Sequence, residues 1–160
     1  MKISRMVNKI SFFIFAAFLF GESAAYVYIL PFDNIQNDPA LDWISSGLSD
    51  MTREEIKNIY GVRVKSREDL EVIMNDRSLM LKQPRGSRNL LVLGKYSRQL
   101  DKINVTIQIV DVANWEELGK SNISEVYSKV QILNQSVGRE VVQILDPFLP
   151  KQPVQKSSPF

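Results

Sequence analysis

Tyr26-Val27-Tyr28-Ile29-Leu30-Pro31 (YVYILP) is a short apolar run, β-branched and aromatic, closed by a proline. It reads as a buried strand. The residues after it decide how that strand is used. Asp38-Pro39 has the chemistry of a helix start: a side chain that caps free N–H groups, then a residue whose fixed φ suits the first turn. Leu41, Ile44, Leu48 and Met51 recur at intervals of three and four, Ile56 and Ile59 extend that face, and Gly61 is placed to close the helix. Val62-Arg63-Val64-Lys65 alternates as a second strand. Ser66-Arg67-Glu68-Asp69 resembles a capping box with Asp in place of Glu, and Leu70, Ile73 and Met74 continue at helical spacing. Strand, helix, strand, helix predicts a parallel pair joined by helical crossovers.

Downstream, Lys82 to Asn89 (KQPRGSRN) carries Pro, Gly and polar residues and reads as a loop. Leu90 to Leu93 is apolar, and Gly94 suits a bulge or a close backbone approach. Asn104 to Ile109 alternates strictly, the pattern of an antiparallel strand with one wet face, and Ser97 to Lys102 fits a hairpin connection before it. Ser121 to Tyr127 is a more polar strand suited to a sheet edge. Val130, Leu133, Val137, Val141 and Ile144, widened by Val142 and Leu145, predict a last amphipathic helix that Pro147 stops. The expected fold class is α/β (α+β): a single domain over residues 26–146, with a mixed sheet of about five strands. A parallel β-α-β start and an antiparallel meander are flanked by three helices. Residues 147–160, with four prolines and no glycine, read as a flexible Pro-rich tail.

Upstream lie Lys2, Arg5 and Lys9, then an uncharged apolar run from Ile10 to Phe20, then Gly21 and the small residues Ser23-Ala24-Ala25. This is the three-part pattern of a secretory signal, with cleavage expected near Ala25 and export to the periplasm. The alternative is an uncleaved anchor, although the run is shorter than the roughly 20 apolar residues of a comfortable span. No transmembrane span is expected once the signal is removed. The 160-residue chain less these 25 leaves 135, enough for one domain with its own core.

The signal takes three basic residues and one acid with it, so 17 of each remain and the rest is formally neutral. That argues against a nucleic-acid partner, whose binding rests on neutralised phosphates. The charges are unevenly placed. Residues 77–102 hold seven bases (Arg77, Lys82, Arg85, Arg88, Lys95, Arg98, Lys102) against Asp101 alone, which can mark a docking surface or a solvated face. The chain has no cysteine, which excludes disulfides and an acylated N-terminal Cys, and no histidine, the usual general base.

Ile29-Leu30-Pro31-Phe32-Asp33-Asn34 followed by Ser46-Gly47-Leu48-Ser49-Asp50 resembles the opening of the TolB N-terminal-like domains, which include FlgO-type, CsgG-type and LpoB-type envelope proteins. The segment Val64 to Asp76 is similar to their second strand-to-helix block. Leu93-Gly94-Lys95-Tyr96 with Val105 to Asp111 is similar to their third. The resemblance covers about residues 27–145. It implies a soluble mixed sheet flanked by helices, contacts with other envelope proteins, a tendency to homo-oligomerise, and no catalytic residues. The chain departs from CsgG and LpoB in lacking a Cys for acylation, and from CsgG in having no spare barrel-forming strands.

Two constellations are weighed and set aside. Asp33, Asn34, Asn37, Asp38 and Asp42 lack the spacing and the bidentate Glu of a calcium loop, and suit caps and turns better. Ser45, Ser46 and Ser49 near Gly47 lack both a nucleophile elbow and a histidine. No enzyme activity, cofactor or metal is expected. Trp43 suits a core or half-buried edge position better than the alternative of an exposed anchor for a partner; for Trp115, in the connection after the clearest strand, the two readings are even. The expected partner-binding residues are Arg85, Arg88, Lys95, Arg98 and Trp115. The expected function is a non-enzymatic interaction module of a bacterial envelope machine, flagellar or secretory. The alternative is a regulatory activator of peptidoglycan synthesis resembling LpoB.

Overall fold

The computed structural model describes residues 22–152. Residues 1–21 of the expected signal and 153–160 of the expected tail lie outside them. A six-stranded mixed sheet runs β3-β1-β4-β5-β6, with the short β2 also on β4. Its strands are β1 (Ala25–Ile29), β2 (Asp33–Asn34), β3 (Val62–Lys65), β4 (Arg88–Gln99), β5 (Lys102–Asp111) and β6 (Glu116–Val126). β1 pairs parallel with β3 and β4, and β4-β5-β6 is an antiparallel meander. Among the described residues four α-helices accompany the sheet: α1 (Asp42–Ile56), α2 (Arg67–Asn75), α3 (Ser78–Leu81) and α4 (Val130–Leu145). The expected fold class is the observed one. Among the described residues no helix is long and apolar enough to cross a membrane.

Strand alternation sends successive side chains to opposite faces. Val27, Ile29, Leu90, Val92, Tyr96 and the odd-numbered Ile103 to Ile109 point to one face. There they meet Leu41, Ile44 and Leu48 at the α1 end and Leu133, Val137, Val141 and Leu145 of α4. Tyr28 and Leu91 point to the other face, onto Leu70 and Ile73 of α2, with Leu79 and Met80 of α3 beside them. The second layer is small, so Lys95, Thr106 and Gln108 stand over uncovered sheet.

Local signals behave as their chemistry dictates. The Asp38 carboxylate accepts from the Ala40 N–H (3.0 Å), and Pro39–Leu41 forms a 3-10 turn that feeds α1. The Ser66/Asp69 capping box forms in both directions. Four expectations need correction. α1 ends at Ile56, and Gly61 lies five residues later, at φ 72, in the turn into β3, so it is not the helix cap. The loop expected through Asn89 ends at Ser87, because Arg88 and Asn89 already pair with Ala25 and Tyr26. The hairpin connection shrinks from Ser97–Lys102 to Leu100-Asp101, since Ser97 pairs with Asn104. The edge strand begins at Glu116, ahead of Ser121. Pairing extends strands past the point where their own patterns fade. Within the segment read as a tail, Phe148 and Leu149 pack against the core and Pro150 meets Gly61.

Candidate partner-binding surface

The five residues expected to bind a partner do not form one strip. Arg88 and Arg98 are ten residues apart on β4, which puts them about 33 Å apart along the strand. Each stacks on an aromatic ring beside one end of α4. The Arg88 guanidinium lies 5.0 Å from the Phe148 ring centre and pairs with Asp111 at 3.1 Å. The Arg98 guanidinium lies 4.4 Å from the Tyr127 ring centre. Lys95 is on the opposite sheet face, where it lines a cavity of about 240 Å³ with Asp33, Thr106, Gln108, Leu30 and Leu93. Arg85 is exposed in the loop before β4. Trp115 is half-exposed at the Arg88 end, at φ 61, with its N–H donating to the Asp111 carbonyl (2.8 Å).

The Arg98 end is the more developed surface. Gln99 pairs with Lys102, so the β4–β5 hairpin turns on two residues, Leu100 and Asp101. Such turns require positive φ, which Gly and Asn supply cheaply. Leucine stands here at φ 57 and is 94% exposed, a conformation that costs about 1–2 kcal/mol for a residue with a Cβ. The turn is held from both sides. Arg98 Nε donates to the Leu100 carbonyl (3.0 Å), and the Tyr127 N–H donates to the Asp101 carbonyl (2.6 Å). The Arg98 N–H donates to Gln36 Oε1 (2.7 Å), which brings the loop after β2, with the exposed Ile35, to the same place. Tyr127 meets Trp43 edge-on at 6.5 Å. Trp43 is 49% exposed, and its Nε1 donates to the Ala40 carbonyl (3.1 Å). Trp43, Tyr127, Arg98 and Leu100 are thus joined into one patch by consecutive contacts, with Tyr127 partly buried and the exposed Ile35 next to Gln36 in the chain. Trp, Tyr and Arg are the residue types that dominate binding hot spots.

Of the patch, the sequence reading singled out Arg98 for a contact; it favoured a core or half-buried edge position for Trp43, which instead stands 49% exposed. It missed Ile35, Leu100 and Tyr127. One signal was present: a leucine where a two-residue turn prefers Gly or Asn. The Asp/Asn cluster serves the same corner, with Asn34 Nδ2 donating to the Asp38 carbonyl (2.8 Å) and Asp42 Oδ1 (2.9 Å).

β6 leads directly into this patch. It is an eleven-residue strand with β5 as its sole strand neighbour among the described residues. Lys120 and a bulge opposite Ile109/Val110 protect its first half, as edge strands commonly are. From Ser121 to Val126 the strand is regular.

A buried polar network lies at the other end. The Tyr28 hydroxyl donates to Asn89 Oδ1 (3.0 Å), and the Asn89 amide donates to Gln83 Oε1 (2.8 Å). Burial pushes the Tyr28 phenol from its ordinary 10 up to about 12, and the charges of Asp69 and Tyr26 add to the rise. The folded state therefore favours the neutral phenol. Its contribution is intact below pH 10 and is lost as the pH rises toward about 12. An alkaline titration followed by phenolate absorbance and circular dichroism should show a late phenolate step that coincides with unfolding and is absent in Tyr28→Phe. A Tyr28 step near pH 10 with the fold intact would contradict this.

No known family profile matches the chain, and no curated protein does. Solved structures do. TolB from Acinetobacter baumannii superposes with a TM-score of 0.53 at 16% identity, over 79% of this chain and 29% of that one. The likeness is one of fold. The chain spans less than a third of that TolB structure. The PelC dodecamer from Paraburkholderia phytofirmans gives 0.43 at 16% identity, over 81% of this chain and 90% of that one. The lipoprotein GNA1162 from Neisseria meningitidis gives 0.45 at 15% identity, over 73% and 96%.

Proposed function

We propose that this chain is a non-enzymatic interaction module exported to a bacterial envelope, where it docks onto a protein of a flagellar or secretion machine. The observation that carries the reading is the continuity of the β6 edge with the Trp43–Tyr127–Arg98–Leu100 patch. An extended partner segment can add to Ser121–Val126 by main-chain hydrogen bonds and place a side chain against the patch beyond it. The absence of histidine and cysteine supports a role without chemistry at neutral pH. The fold likeness to TolB agrees with the resemblance read from the sequence blocks.

The test is site-specific photocrosslinking in living cells from Asn122 on the edge and Gln36 beside the patch. The same envelope protein should be captured from both. With the purified partner, Trp43→Ala should weaken binding about thirty-fold, the loss of about 2 kcal/mol typical of a hot-spot residue. Trp115→Ala, at the far end, should change it less than about three-fold. Capture from neither position would overturn the proposal. Capture of copies of this chain alone would replace it with a self-assembling subunit, and capture of a peptidoglycan synthase would favour the regulatory role.

A further inference from the structure

We propose that the export signal is removed between Ser23 and Ala24, two residues before the Ala25–Tyr26 junction that the sequence pattern favours. This rests on residues 1–25 acting as a cleaved signal, but not on the docking reading above. The structure builds both alanines into the start of the sheet. Ala25 is fully buried and pairs with Val62 on one side and Arg88 on the other. Its N–H donates to the Gly61 carbonyl (2.8 Å). Ala24 is 3% exposed; its carbonyl accepts from the Arg88 N–H (3.0 Å) and its N–H donates to Ser87 Oγ (3.1 Å).

Cleavage after Ala25 would delete all three hydrogen bonds. It would leave the Gly61 carbonyl and the Arg88 N–H without these partners. Unpaired main-chain groups at such a place oppose folding. Cleavage after Ser23 keeps every one of these bonds. The new ammonium then falls on Ala24, where it still has Ser87 Oγ as acceptor. Ser23 makes no hydrogen bond among the described residues, so nothing that holds the sheet is lost with it.

The local chemistry permits this cut. A signal peptidase reads small residues at the position before the cut and two before that. Ser23 and Gly21 satisfy those positions as Ala25 and Ser23 do for the other junction. The reaction is hydrolysis by the peptidase of the exporting membrane. Water adds across the Ser23–Ala24 peptide bond, Ser23 leaves as a carboxylate, and Ala24 gains the amine. It precedes folding, so the burial of Ala24 does not obstruct it; the fold limits which product is competent.

The test is to express the full chain in an exporting bacterium and read the intact mass and first residue of the released protein. Ala24 is expected. Tyr26 as first residue would overturn the inference while leaving a cleaved signal standing, and retention of the whole N-terminus would overturn both. Ala25→Val separates the junctions, because it spoils the residue before the later cut and lies beyond the earlier one. Processing should be unchanged in that variant, and a block would count against the inference. The first residue is fixed before folding, so this readout stands even where the variant folds poorly.

Discussion

Gly94→Ala is expected to destabilise the protein by about 1–3 kcal/mol, seen as a fall in the urea midpoint, and Gly94→Val by more. A Cβ built at Gly94 would stand 2.1 Å from Phe32 Cδ1 and 2.2 Å from Cε1, far inside van der Waals contact. The ring has nowhere to go. Phe32 is 2% exposed in the main core, and its carbonyl accepts from Ser45 Oγ of α1 at 2.7 Å. The strand after it is pinned too, since Asp33 and Asn34 pair with Lys95 and Tyr96. Relief must come from lifting the β2 corner off β4. That corner carries Ile35 and Gln36, and Gln36 holds the Arg98 main chain. The substitution should therefore weaken partner binding as well as stability, although Gly94 itself is no part of the exposed patch. Wild-type stability in Gly94→Ala would mean that Phe32 does not pack across β4 as described.

The sequence carried the fold because its signals are local and agree with one another. Asp38-Pro39 and the Ser66–Asp69 box fix two helix starts through side chains that reach only two or three residues. The alternation of Asn104 to Ile109 fixes which face of β5 is wet. The proposed docking surface was less legible because it is assembled across long separations. Arg98 meets Gln36 62 residues away in the chain, and the Tyr127 ring stands between Arg98 and Trp43. A count of charges placed Arg85, Arg88, Lys95 and Arg98 on one strip. The pleat sends Lys95 to the opposite face, and the length of β4 carries Arg88 to the opposite end. Asp111, itself nearly buried, draws Arg88 into an ion pair, a partner that lies outside the counted segment. Ala24 and Ala25 show the same limit, because as a sequence they satisfy a peptidase, whereas only the paired sheet shows what their removal would cost.

Ile107→Ala is expected to cost about 2–5 kcal/mol, and its neighbour Thr106→Ala less than about 1 kcal/mol. The pair tests the register of the whole sheet. Ile107 has no exposure; it lies between Gly94 and Ser121 in the neighbouring strands and faces the helix layer. Its truncation leaves a void among side chains already fixed by α1 and α4, which can collapse only in part. Thr106 lies on the uncovered face, and its hydroxyl donates to Asn122 Oδ1 (2.8 Å) in reach of water, which can replace the bond. Because the side-chain period of a strand is two, a slip of one residue in β5 would exchange these roles. Urea denaturation of both variants reads the difference directly. A large loss at Thr106 with a small one at Ile107 would move the core to the opposite face of the meander. Equal losses would mean that both faces are covered, and the open polar sheet beside Lys95 would then be an interface.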